Sequence, residues 1–132
     1  MTDIRSDLPE PIRRWHRAVN DRDLEVAAAA VTDDVVVGGP QGLASGRQLF
    51  LDWIERAGIT LQPVAWHPVS GCSVVVEQDA SWRTAAGEST PPQRLATAFR
   101  LVEGRVAAVV RCEDVAGARA AAEGLESSTQ SS

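Results

Sequence analysis

The sequence contains no lysine and no tyrosine, and only two histidines, two cysteines and one methionine. Each shortage removes a class of function. "GGPQGLASG" is rich in glycine, but without the phosphate-loop lysine it does not read as a nucleotide cradle. The basic residues are scattered arginines that form no block, and the formal net charge is −5. That balance argues against a nucleic-acid backbone or an anionic membrane surface as partner, since both require a basic face. No apolar window approaches the roughly 18 residues of a membrane span. "MTDIRSDLPEPIRRW" has no apolar run, so the start of the chain does not read as a secretory signal.

The cysteines, Cys72 and Cys112, stand alone in apolar, strand-like runs without metal spacing. They are expected to be buried reduced thiols, which makes the cytoplasm the default location. With two histidines expected on opposite faces, no convergent metal site is expected, and no cofactor either. No serine stands on a strand-to-helix elbow, and neither cysteine has a placed base, so a nucleophilic triad has no support.

The remaining composition supports a core. Of 132 residues, 44% are hydrophobic and four are tryptophan, enough for one domain with one interior. Ser6 or Asp7 can cap a helix starting near Pro9. Its apolar stripe is Ile12, Trp15, His16 and Val19, at i, i+3, i+4, i+7, with Arg13, Arg14 and Arg17 on the wet side. Asp21 or Asp23 opens a second helix along Leu24, Ala27, Ala28 and Val31. "VVV" at 35–37 reads as a short strand, followed by a turn-rich loop through Gly38, Gly39, Pro40 and Gly42. "SGRQ" at 45–48 reads as a capping box with Ser45 as cap. The helix it opens carries Phe50, Trp53, Ile54 and Ala57, and Gly58 ends it in a left-handed conformation.

From Ile59 the period changes to two. "ITLQPVAWHPV" is a strand whose prolines place it at an edge or a bulge. "CSVVVEQDASWRT", "RLATAFRLV" and "RVAAVVRCEDV" follow, the last two joined by a Glu103–Gly104 hairpin turn. A short helix is expected from Asp114 to about Glu123. Residues 1–125 make one domain, and 126–132 read as a disordered tail. Helices on one face of an antiparallel meander give an α+β domain, and long strands bending around helices enclose a cavity.

"WHRAVNDRDLEVAAAAVTDDVVVGGPQGLASGRQLFLDWIERAG", with "VVVEQDASWR", "FRLVEGRV" and "VVRCEDV", resembles the nuclear transport factor 2-like superfamily, in its SnoaL-like branch. The resemblance runs over about residues 15–123. It implies a cone-shaped, curved antiparallel sheet packed on three N-terminal helices, and a homodimer formed through sheet faces. The superfamily holds steroid isomerases, polyketide cyclases, epoxide hydrolases, dehydratases and non-catalytic binding modules, so the fold does not choose the chemistry. Steroid isomerase relatives carry a general-base carboxylate just before the proline that follows the first strand, where this chain has Gly39. Their two oxyanion donors fall near His16 and Thr97. Epoxide hydrolase relatives use an acid on the last strand, near Arg111 here. Neither activity transfers. Asp33 and Asp34, at the start of the strand, read as turn or surface ion-pair residues.

Within such a cone, His16 lies on the inward stripe, either as a satisfied neutral histidine or as an acid–base group. Arg111 alternates with Val109 and Ala107; facing inward, it needs an anionic partner, whether Glu113, Glu77, Asp34 or a ligand carboxylate. Trp15, Trp53, Trp66, Trp82, Thr97, Phe99 and Val109 are the expected ligand-facing residues, the aromatics serving either as walls or as core. His67 points to the opposite face from Trp66. Three functions follow. One is a binding domain for a small apolar or weakly acidic molecule. Another is a cofactor-independent isomerase, cyclase or dehydratase with His16 as acid–base group and Arg111 as anion stabiliser. The third is a structural or regulatory dimer.

Overall fold

A computed structural model describes residues 8–39, 42–83 and 86–130. Helix α1, Glu10–Asp21, buries Ile12, Trp15, His16, Ala18 and Val19, the stripe its spacing dictates. Ser6 and Asp7 lie outside the described residues; Pro9 holds the N-cap position without a side-chain cap. Helix α2, Leu24–Ala30, starts on Asp23, whose carboxylate accepts from the Val26 N–H at 3.2 Å.

Strand β1 runs Val31–Gly39 and β2 runs Gly42–Ser45. They pair as an antiparallel hairpin, so most of the glycine-rich stretch expected as a loop is strand. Val31, expected to close the second helix, instead opens β1 opposite Val106. The expected capping box does not form. Ser45 is held in register with Val36, Gly46 takes the N-cap position, and Gln48 donates to Asp52 at 3.0 Å. Helix α3, Arg47–Ala57, presents buried Phe50 and Ile54. It ends on Gly58 at φ 58°, a left-handed position that glycine occupies at little cost.

Strands β3 (Ile59–Pro68), β4 (Ser73–Trp82), β5 (Gln93–Val102) and β6 (Arg105–Cys112) form the meander. Glu103 and Gly104 both have positive φ, 51° and 80°, as a type I′ hairpin turn requires. The sheet order is β2-β1-β6-β5-β4-β3, with β1 parallel to β6. The sheet is therefore curved, unclosed and mixed, rather than wholly antiparallel. β3 is an edge strand with a register shift between Pro63 and Ala65, so its prolines mark both an edge and a bulge.

Helices α1, α2 and α3 cover the concave face, where Trp15, Phe50, Ile54, Val76 and Phe99 form the main core. Helix α4, Val115–Gln130, lies on the other face. Its Ala118 and Ala122 bury Val75, Ala96, Ala98 and Val110, and Asp114 caps it by accepting from the Gly117 N–H at 2.8 Å. The convex face, expected to be free for a second copy, is thus covered at its centre by the chain's own helix. α4 runs past the expected end near Glu123 and, through Gln130, into the stretch read as a tail; no glycine or proline interrupts it after Gly124.

Asn20 fastens α1 to the edge strand. Its amide donates to the Leu61 carbonyl and accepts from the Leu61 N–H, both at 2.8 Å. Substitution Asn20→Ala leaves two backbone groups unanswered in a half-buried place and should cost roughly 1–3 kcal/mol. Removing the Asp23 cap by Asp23→Ala should cost about 1 kcal/mol. Urea denaturation of both variants checks the order; equal losses would contradict the clamp.

Candidate functional site

The concave face encloses a cavity of about 500 Å³. Trp15 from α1, Phe50 and Trp53 from α3, Ile59 and Leu61 from β3, Val37 from β1 and Val109 from β6 give it apolar walls. Its fully buried lining residues, Trp15, Phe50 and Gln78, mark the floor with Thr97, which is 3% exposed. Exposed Gly42, Leu49, Arg56 and Arg111 mark the mouth. Its charged, amide and hydroxyl side chains are Gln78, Thr97, Arg56 and Arg111. Among the described residues no carboxylate lines the cavity.

Strand register explains why the polar groups converge. Trp66, Val76, Thr97 and Arg111 stand opposite one another on β3, β4, β5 and β6. Thr97 therefore sits beside Arg111 on the concave face, with Gln78 one pleat along β4. The Arg111 guanidinium carbon lies 6.0 Å from the Trp82 ring centroid, within the range of a cation–π contact. Across from it lies Gly39, where a Cβ would meet the Arg111 carbonyl oxygen at 3.4 Å and its Nε at 3.9 Å, ordinary contact distances. At the position where steroid isomerase relatives are expected to hold their base, this chain has backbone, and a cation lies against it. Among the described residues no carboxylate pairs with Arg111 or Arg56. Glu77, one of the partners expected for Arg111, points to the convex face, toward His67 at 3.5 Å and Arg94 at 3.8 Å.

His16 does not line this cavity. It borders a second hollow between α1 and β3, with Arg13, Arg17, Asn20 and Gln62. Both ring nitrogens are engaged. Nδ1 is 2.8 Å from the Ile12 carbonyl, and Nε2 is 2.7 Å from the Gln78 amide nitrogen. Gln78 Oε1 in turn accepts from the Thr97 hydroxyl at 2.6 Å. A continuous hydrogen-bonded chain thus crosses the interior from the α1 backbone to the cavity floor. Burial pushes the His16 pKa down from 6.5 to about 4, partly opposed by the Ile12 hydrogen bond, because the charged imidazole would lose its hydration.

The structure brings Trp15, Trp53, Thr97, Val109 and Arg111 together around the cavity. Phe99 stands behind the wall, edge-on to Trp15 at 4.9 Å. Trp66 and Trp82 are half-buried on the concave face, packed against the core and outside the cavity lining. Gln78 and Arg56 were not expected. Gln78 had a signal, being the polar member of the inward row Val76, Ala80, Trp82; Arg56, in the last turn of α3, had none. Among the described residues no group of His, Cys, Asp and Glu is placed to hold a metal ion, and no helix is long and apolar enough to cross a membrane.

The SnoaL-like domain family matches residues 12–109. No curated protein matches the sequence. Among solved structures, an LEH-like epoxide hydrolase of M. tuberculosis is similar with a TM-score of 0.71 at 16% identity, over 88% of this chain and 84% of that one. A protein with a ketosteroid isomerase-like fold from Catenulispora acidiphila, in complex with trimethylamine, gives 0.67 at 14% identity, over 78% and 84%. TerC, co-crystallized with polyporic acid, gives 0.67 at 19% identity, over 86% and 96%. At these identities the likeness is one of fold.

The depressed His16 pKa has a definite sign in stability. Between about pH 4 and 6.5 the unfolded chain binds a proton that the folded chain refuses. The stabilisation from neutral His16 is therefore complete above pH 6.5 and is lost as pH falls toward 4. Stability should drop by roughly 1–2 kcal/mol from pH 7.5 to 5 on account of this group. In His16→Gln the slope should flatten; denaturation midpoints at the two pH values measure it, and an unchanged slope would count against this account.

Proposed function

The chain belongs to the SnoaL-like domain family, and from that premise we propose that it binds a small, largely apolar organic acid in the cone cavity, with the anionic group at the mouth on Arg111 and Arg56. One observation carries the reading: in a chain with 18 acidic side chains and net charge −5, the described residues that line the cavity include two arginines and no carboxylate. The volume of about 500 Å³ suits a molecule of drug size. Aromatic and aliphatic walls supply apolar contact, while a guanidinium offers a planar fork to a carboxylate. TerC was crystallized with a molecule named as an acid, in keeping with this class.

His16 is a poor candidate for proton transfer, because both nitrogens are committed and burial holds the ring neutral. If the cavity turns its ligand over, Arg111 is the group positioned to stabilise a developing anion. A homodimer, implied by the family resemblance, would use the part of the convex face that α4 leaves open, around His67, Glu77, Asp79 and Arg94. A monomer by light scattering at micromolar concentration would remove that proposal.

Calorimetric titration with 2-naphthoate and the neutral 2-naphthamide tests the binding reading. The acid should bind about fivefold to tenfold tighter, and Arg111→Gln should erase most of that difference while leaving the amide within twofold. Equal affinities in the unsubstituted protein would overturn it.

A further inference from the structure

Thr97 stands at the cavity floor, and a threonine hydroxyl ordinarily offers either a hydrogen or a lone pair by rotating about its C–O bond. Here the rotation is decided elsewhere. The Ile12 carbonyl can only accept, so His16 Nδ1, 2.8 Å away, must carry the ring hydrogen. A neutral imidazole has one such hydrogen, so Nε2 is an acceptor. Its neighbour at 2.7 Å must then donate, which assigns the Gln78 NH2 to that side. Gln78 Oε1 is left facing Thr97, and the hydroxyl hydrogen is spent on it at 2.6 Å. Each assignment forces the next, and the last of them sets what the cavity meets.

We infer that Thr97 is a dedicated hydrogen-bond acceptor at the cavity floor, so that the ligand taken there presents a hydroxyl or N–H donor, apart from its acidic group, to the floor. This rests on the cavity being the binding site, as proposed above. Gln78 is 0% exposed, Thr97 3% and His16 4%, so water has little access to relax the assignment. A ligand presenting only an acceptor would set lone pair against lone pair in a dry place, leaving both unanswered, and sites of that kind reject the mismatched analogue strongly. His16, outside the cavity, acts through Gln78, and Gln78, a fully buried part of the floor, fixes the Thr97 hydroxyl; both are positioning residues for it.

The test is calorimetric titration of the full chain at pH 7.5 with 6-hydroxy-2-naphthoate and 6-methoxy-2-naphthoate. The two share the carboxylate and the ring system and differ in whether the remote oxygen carries a hydrogen. The hydroxy compound should bind at least tenfold tighter. The preference should fall below twofold in Thr97→Val and persist in Thr97→Ser. In Gln78→Met the hydroxyl is released to rotate and can donate to the methoxy oxygen, so the preference should shrink to under threefold; a mere contact with Thr97 would not produce that change. Equal or tighter binding of the methoxy compound to the unsubstituted protein, or a preference that survives Thr97→Val or Gln78→Met, would overturn the inference while leaving the binding site standing. No binding by either compound would overturn both together.

Discussion

A polar side chain in a hydrocarbon interior must be answered by another polar group, and in this protein that demand links the first helix to the centre of the sheet. His16 could not sit on the apolar stripe of α1 without partners for both nitrogens. It finds one inside its own helix, at Ile12, and one on β4, at Gln78, which reaches on to Thr97 of β5. Three elements distant in sequence are thereby held at fixed separations. Trp15, adjacent to His16 and edge-on to it at 4.9 Å, is carried into the cavity wall by the same placement. The position of the hollow is a consequence of how the interior satisfies its hydrogen bonds.

The distribution of charge follows a second logic. Three arginines form ion pairs at or near the surface, Arg14 with Glu10, Arg47 with Asp33 and Arg94 with Asp79. Such exposed pairs contribute little to stability. Arg111 and Arg56 differ in bordering an apolar space, and among the described residues neither has a carboxylate partner. The net negative charge of the chain works against approach of an anion from a distance, but screening limits that repulsion to roughly 8 Å in physiological salt. Within that range the two guanidinium groups are the charged members of the described cavity lining.

How much of this was legible depended on period and partner. The inward rows Leu95, Thr97, Phe99 and Trp82, Ala80, Gln78 follow from strand alternation alone, as does the outward turn of His67. Pro63, Gly58 and the Glu103–Gly104 turn announced an edge, a helix end and a hairpin by backbone chemistry that needs no tertiary context. Ser45 misled because a capping box and the end of a strand share the same residue types, and pairing with Val36 decided between them. Val31 fits an alanine-rich helix as well as a buried strand, and only β6 alongside it selects the second. The convex face could not be assigned, because Ala118 and Ala122 are too small to announce what they cover. Gln78 was overlooked among its apolar neighbours, since its importance lies in partners on two other elements.

An unclosed sheet has two open rims, each a row of backbone groups on which a foreign strand can template itself. At one rim Asn20 mimics a neighbouring strand, taking both main-chain groups of Leu61, while Pro63 and Pro68 on the same strand have no N–H to offer. At the other, β2 is four residues long, too short to seed an extended register. The molecule can thus keep its hollow open, without the closure of a full barrel, and still resist growing into fibrils from either side.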